Sequence, residues 1–225
     1  MNNGKRNLIK KMVQTARALL IQEARESLEG TYGLHADGSF EDVSSLPELK
    51  DLDKQETRNE LESFLREEAK TGFKGKEAVD KLVKEIAFTH LNRFVAFKMM
   101  EAKKIIRQTI SRGADSNAFK FYLVDYPEDE RRYNEGKIDE AYRNFLLWQS
   151  GELAKEIKVL FDPENLPSRV FPRPRVLKEL FDLINDETIS DIWQEDETIG
   201  WVYQYFIEED KDRVSLDLKR RKRIK

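Results

Sequence analysis

The longest run of helix-periodic apolar residues extends from residue 76 to residue 112, and it constrains the fold more than any other feature of the chain. Apolar residues recur there at steps of three and four, and no proline or glycine interrupts them before Gly113. Residues 86–100 are apolar on nearly every side, which a helix tolerates only when other elements cover most of its circumference. The run therefore predicts a long central helix surrounded by other helices.

Polar residues also lie within the most apolar turns of this predicted helix, namely His90, Asn92, Arg93 and Lys98. An unpaired charge at Arg93 would cost on the order of several kcal/mol, so we expect Arg93 to pair with an acid from a neighbouring helix. A contact with nucleic acid or a partner domain is the alternative. His90 is one of two histidines in a chain without cysteine, and a lone histidine does not indicate a zinc site.

Composition supports a helical fold. Of the 225 residues, 39% are apolar and 37% are charged, and only ten glycines and six prolines interrupt the chain, which favours long solvated helices over sheet. We predict a mostly α protein, an irregular multi-helix bundle around the central helix with at most one short strand pair. No uninterrupted apolar run is long enough to predict a membrane span, and the absence of cysteine fits a reducing cytoplasm.

The same periodicity and the positions of glycine and proline predict the other elements. Asp53 is a plausible N-cap of the second helix, since Glu56 follows three residues later. The predicted helices cover about residues 5–28, 53–69, 138–161 and 176–184, and the predicted irregular segments cover 31–45 and 125–136. Residues 118–124 fit either a short strand or the start of a helix.

The basic residues at the end of the chain are the main candidate for contact with nucleic acid. The net charge is −3, but six of the last seven residues are basic, which leaves −9 for residues 1–218. We predict a helical domain over 1–218, with a possible sub-boundary near 113–136, and a basic linker or tail over 219–225. Contacts between the tail and phosphates would add affinity for DNA that does not depend on the base sequence. The alternative is that the tail is only a solvated linker. The candidate DNA-contacting residues are Lys219, Arg220, Arg221, Lys222 and Arg223 in the tail, and Arg93, Arg107 and Arg112 in the domain.

Motifs for catalysis are absent from the sequence. It holds no G-x-S-x-G elbow, no P-loop, no glycine-rich dinucleotide turn and no H-E-x-x-H helix. Trp201 and Tyr205 are four residues apart, as neighbours on one face of a helix would be, which predicts an aromatic helix there. The carboxylates of Glu195, Asp196 and Glu197 could bind a divalent cation, but Asp196 or Glu197 is better placed to cap this helix. We therefore assign no catalytic, cofactor-binding or metal-binding residue.

Three stretches follow one another in the order found in one known family. They are residues 86–101, residues 166–172 with 176–180, and residues 193–206 with the sequence Trp-Gln-Glu-Asp-Glu-Thr-Ile-Gly-Trp-Val-Tyr-Gln-Tyr-Phe. In these stretches the chain resembles the N-terminal region of large adenine-specific DNA methyltransferases of bacterial phage defence. These are the PglX-type enzymes of bacteriophage exclusion and their relatives in DISARM and fused restriction-modification systems.

The resemblance implies a helical lead-in to a Rossmann-type domain that binds S-adenosylmethionine and methylates adenine at its exocyclic amine. The family's cofactor-binding glycine motif and its Asn-Pro-Pro-Tyr motif lie downstream of the matched region, and neither occurs here. We therefore expect a non-catalytic, cytoplasmic bacterial segment without its own cofactor, ending close to where the catalytic domain begins. Its expected partners are DNA, through the full-length enzyme, and other defence-system proteins. A self-standing helical module that binds a protein of the defence complex is the alternative.

Overall fold

A computed structural model describes residues 3–208 and shows a mostly α-helical bundle, which confirms the predicted fold class. The only β pairing in that range is an isolated antiparallel bridge between Leu34 and Phe40. The helices are α1 (Asn3–Gly30), α2 (Leu52–Lys70), α3 (Lys76–Ala102), α4 (Asn117–Asp125), α5 (Pro127–Asn134), α6 (Ile138–Ala154), α7 (Lys158–Phe161), α8 (Leu166–Arg169), α9 (Pro174–Ile184) and α10 (198–208).

Helix α3 is central, as predicted, and its side chains take part in both apolar clusters of the bundle. The larger cluster joins α1 and the C-terminal part of α3 to α4, α6, α9 and α10, and it includes the fully buried Phe94. The smaller cluster joins the C-terminal part of α1 and the N-terminal part of α3 to α2 and the loop before it. Phe119 and Tyr122 of α4 belong to the larger cluster, so residues 113–136 share a core with the central helix.

Helix α3 ends ten residues earlier than the apolar periodicity predicts. Lys104 adopts a left-handed φ of 59°, and the amides of Lys104 and Ile105 donate to the carbonyls of Glu101 and Met100. This is the Schellman arrangement that closes a helix, although its left-handed position is usually a glycine. The predicted helix over residues 103–112 is therefore wrong, and that stretch is a loop.

Other predicted boundaries also change. Asp51 rather than Asp53 caps α2, because its carboxylate accepts from the amides of Asp53 and Lys54. Residues 118–124, left open between strand and helix, belong to α4. The predicted turn region 125–136 contains α5, which has Pro127 in its first turn, acids beside it and arginines in its last turn, all of which favour a helix.

The predicted helix over 138–161 is interrupted at residues 155–157. Arg93 of α3 binds the chain that follows this interruption. The guanidinium donates to the backbone carbonyls of Leu160, at 3.4 Å, and Asp162, at 2.9 Å, and to Ser168 Oγ at 2.6 Å. These bonds hold the chain after α6 against α3. The partners of Arg93 are thus two carbonyls and a hydroxyl, and the expected hydrogen bond to a carboxylate is not formed among the described residues.

His90 is fixed in the same way one turn earlier on α3. It is fully buried, and its Nε2 lies 2.9 Å from the carbonyl oxygen of Val170. Since a carbonyl only accepts, Nε2 carries the proton. Burial, helped by the nearby charge of Arg93, lowers the pKa of His90 to about 3.

This lowered pKa predicts a loss of stability in mild acid. At a pH between the unfolded pKa of 6.5 and the folded value of about 3, His90 binds a proton in the unfolded chain but not in the folded chain. The contribution of His90 to the free energy of unfolding is therefore fully present above pH 6.5 and is lost as the pH falls below it. The unaltered chain should lose free energy of unfolding when the pH is lowered from 7 to 5. In His90→Gln this loss should be smaller by about 2 kcal/mol, as measured by urea titration at the two pH values. His35→Gln is the control, because it removes the other histidine of the chain. An equal effect of both substitutions would contradict the conclusion that burial of His90 causes the pH dependence.

The aromatic segment forms a helix, as the spacing of its rings predicts. Trp201 and Tyr205 stack with ring centroids 5.7 Å apart, and the Arg6 guanidinium lies 4.4 Å from the Trp201 ring. Asp196, one candidate cap of this helix, instead pairs its carboxylate with Lys103, and Lys5 Nζ lies 3.2 Å from Glu195 Oε1. No cluster of metal-ligating side chains occurs among residues 3–208. In the same range, no helix is both long and apolar enough to cross a bilayer.

Candidate nucleic-acid interface

The stretch that joins α3 to α4 concentrates positive charge on an acidic protein. Residues 103–121, here called the basic segment, contain five basic residues and one acid, Asp115, whereas the whole chain has a net charge of −3. Charge of one sign gathered on one surface is the electrostatic feature that attracts a polyanion. The basic segment is therefore suited to contact phosphate.

Most of its cations are exposed and have no acidic partner. Lys104, Arg107, Arg112 and Lys120 are exposed, and none forms an ion pair with any residue between 3 and 208. The Arg107 guanidinium lies 4.2 Å from the centroid of the Phe121 ring, which is itself 55% exposed. Cations beside an accessible aromatic ring can bind a phosphate and stack on a base.

Glu101 gives the basic segment a defined shape. One of its carboxylate oxygens accepts hydrogen bonds from the backbone amides of Thr109, Ile110 and Ser111, and the other accepts from Ser111 Oγ. A carboxylate that receives several amide protons replaces the hydrogen bonds that a continued helix would have made. The end of α3 thus holds the loop that follows it.

Side chains of α6, of α3 and of the residue that follows α9 hold the same loop. Tyr142 of α6 donates to the carbonyl of Thr109 at 2.8 Å, and Asn185 donates to the carbonyl of Ile110 at 3.1 Å. Lys98 Nζ lies 2.9 Å from Ser111 Oγ and 2.7 Å from Asn185 Oδ1. Burial lowers the pKa of Lys98, and the charge of Glu101 opposes that shift. The loop is therefore fixed at several atoms before any ligand binds.

The structure places the predicted DNA-contacting residues in three different settings. Arg107 and Arg112 lie exposed on the basic segment. Arg93 is 0% exposed in the bundle interior, which favours its structural role over a direct contact with DNA. The candidates Lys219, Arg220, Arg221, Lys222 and Arg223 lie outside the described residues.

Sequence reasoning missed Lys104, Lys120 and Phe121 as members of the basic segment. The signal was present, because residues 103–120 carry five basic residues and one acid within an acidic domain. Assigning residues 103–112 to the central helix hid it, since those cations would then be spread around a helix. The role of Glu101 had no sequence signal, because its partners lie eight to ten residues further along a loop.

The chain is similar to an adenine-specific methyltransferase. It is 30% identical over 156 residues to the adenine-specific methyltransferase BrxX of Escherichia coli O9:H4 (strain HS). The match covers 59% of this chain but only 12% of BrxX, so the chain corresponds to a small part of that protein. No protein-family profile and no solved structure matches the chain.

Proposed function

We propose that the chain is a non-catalytic helical segment of an adenine-specific DNA methyltransferase of a phage-defence or restriction-modification system. In this proposal it helps to position DNA or partner subunits, and the basic segment and the basic tail contact phosphates. The methyl donor, S-adenosylmethionine, belongs to another part of the enzyme.

One observation carries the DNA-contacting part of this proposal. Arg107, Arg112 and Lys120 are exposed and free of acidic partners on a segment that is anchored to three helices. The rest of the protein is acidic and would repel a polyanion on average. The similarity to BrxX supplies the kind of enzyme to which such a segment would belong.

A helical protein-interaction module is the second candidate function. Ile105, Phe121 and Val124 are large apolar side chains that are 63%, 55% and 75% exposed on or next to the basic segment. Apolar side chains within a charged surface are also found where proteins bind each other. Loss of DNA binding with retained capture of a defence-complex protein would favour this function.

The proposal predicts weak, salt-sensitive binding to duplex DNA that depends on the basic segment. The triple variant Arg107→Ala, Arg112→Ala, Lys120→Ala removes three phosphate contacts, so the slope of log K against log salt should become shallower by about 2 to 3. Deleting residues 219–225 removes six positive charges and should also weaken binding. Fluorescence anisotropy with labelled duplexes of two unrelated sequences, over a series of salt concentrations, measures both effects.

A matched variant separates specific contacts from net charge. Lys70→Ala, Lys76→Ala, Lys155→Ala removes the same charge from lysines that are 66–70% exposed and already paired with acids. We expect it to retain most of the affinity and the slope of the unaltered chain. Equal losses in the two triple variants would contradict a defined contact, and binding that vanishes with the tail alone would assign the whole affinity to residues 219–225.

The proposal also predicts that this chain does not bind S-adenosylmethionine. The sequence contains no glycine-rich turn to approach the cofactor and no Asn-Pro-Pro-Tyr motif. Isothermal titration calorimetry of the folded chain with the cofactor should show no heat of binding. Binding in the micromolar range would mean that part of the catalytic machinery lies within these residues.

A further inference from the structure

A second feature lies next to the basic segment. A cleft of about 600 Å³ opens between the loop 110–114, the start of α6 and one face of α9. This volume is within the range of sites that hold small organic ligands. Arg112 belongs both to the basic segment and to the cleft lining, so the two surfaces are continuous.

The floor of the cleft is apolar and fixed. It is formed by Ile110, Tyr142, Leu177 and Phe181, each of which is at least nine-tenths buried. The rings of Tyr142 and Phe181 meet at 90° with centroids 6.4 Å apart. Tyr142 and Ile110 are held by the hydrogen bonds to Thr109 and Asn185 described above. The floor is therefore a preformed apolar surface, with two perpendicular rings against which an apolar or aromatic group can pack.

Exposed charges of both signs surround this floor. The cations are Arg112, Arg143 and Lys178, and the anions are Asp139, Glu140 and Asp182. None of these six side chains forms an ion pair with a residue in the described part of the chain, although Arg143 also lies 5.3 Å from the Phe171 ring. A ligand that matches this cleft carries an anionic group for the cations, hydrogen-bond donors for the carboxylates and a flat apolar body.

We propose that the cleft binds one nucleotide unit, with its base against the apolar floor and its phosphate at Arg112, Arg143 or Lys178. A carboxylate of Asp139, Glu140 or Asp182 would then accept a hydrogen bond from the exocyclic amino group of the base, as acidic side chains do with base amines. This inference rests on the proposed DNA contact, because Arg112 links the cleft to the phosphate-binding surface. The nucleotide comes either from an unpaired DNA strand or from a free nucleoside monophosphate.

The experiment uses the full chain with four probes: deoxyadenosine monophosphate, thymidine monophosphate, and labelled twelve-nucleotide oligo(dA) and oligo(dT). Adenine has an exocyclic amino group and thymine has none, so we expect the adenine probe of each pair to bind more tightly. Binding of the monophosphate would identify a free nucleotide as a sufficient ligand. Binding of the oligonucleotide alone would identify an unpaired strand. Either result supports the cleft as the site if the variants below weaken binding of the preferred probe.

The variants separate the cleft from the rest of the basic surface. Arg143→Ala and Lys178→Ala alter the cleft but not the basic segment, and each should weaken binding of the preferred probe about tenfold, the loss typical of one charged hydrogen bond. Arg107→Ala and Lys120→Ala alter the basic segment only and should mainly weaken duplex binding. Thermal melts of all four variants check that they fold, and Lys178→Ala replaces an exposed side chain.

Different outcomes would overturn the two proposals. Duplex binding that depends on Arg107, together with no response of any nucleotide probe to Arg143→Ala or Lys178→Ala, would overturn the cleft proposal alone. Nucleotide binding that depends on the cleft, without any duplex binding, would overturn the proposed DNA-positioning function and leave the cleft. Equal affinity for adenine and thymine probes would show that the carboxylates do not read the amino group, which also overturns the proposal.

Discussion

Phe94→Ala is expected to lower the free energy of unfolding by about 3 to 5 kcal/mol, the range for truncating a buried phenylalanine in a tightly packed core. Phe94 is 0% exposed. Its ring lies 5.1 Å from that of Phe181 and 6.3 Å from those of Phe97 and Phe171, measured between centroids. Removing the ring leaves a cavity between α3, α9 and the loop before α9, and these elements are held in place by other contacts. Urea denaturation followed by circular dichroism measures the loss.

Phe73→Ala is the matched control. Phe73 has the same side chain but is 46% exposed before α3, where its ring lies 5.5 Å from Lys81 Nζ. Its truncation removes little buried area and one weak cation–π contact, so we expect a loss of less than about 1 kcal/mol. Similar losses for the two substitutions would show that α3 is not the central, covered helix.

The second large effect is expected where α9 begins. Glu23 of α1 is 3% exposed, and its carboxylate accepts from Arg173 Nε at 3.0 Å, from Arg173 Nη2 at 2.6 Å and from the Arg173 amide at 2.8 Å. Arg173→Ala would leave this buried carboxylate with only the amide and a 3.3 Å hydrogen bond from Ser27 Oγ. We expect a loss of about 3 kcal/mol, the lower end of the range for leaving a buried charge without its partner, because the Arg173 side chain is itself 52% exposed.

Two further variants test this explanation. Arg175→Ala removes an arginine two residues later whose pair with Glu179 is largely exposed, and it should change stability by about 0.5 kcal/mol or less. Adding Glu23→Gln to Arg173→Ala removes the stranded charge and should recover part of the lost stability. If the double variant is less stable than Arg173→Ala, the loss comes from missing packing rather than from a buried unpaired carboxylate.

The elements that the sequence predicted well are those whose signals are local. The 3.6-residue periodicity of apolar side chains located α1, most of α3 and α9, because each buries one continuous face along its own length. Glycine near residue 30 and the prolines of residues 163–174 marked where helices end or restart. The four-residue spacing of Trp201 and Tyr205 placed them on one face of α10 for the same reason. These properties depend only on neighbouring residues, so the sequence alone determined them.

Other features depend on contacts between residues far apart in the chain, and only the tertiary structure decided them. The apolar periodicity of α3 runs past residue 102, but the helix ends there because Lys104 turns the backbone and Glu101, Tyr142 and Asn185 hold the following loop. Arg93 clearly needed a partner, yet its partners are more than 60 residues away, in the segment that follows α6. The exposed cations of the basic segment and the neighbouring cleft both result from these distant hydrogen bonds. Local periodicity cannot encode them, because the energy that favours the loop over a longer helix comes from side chains on other helices.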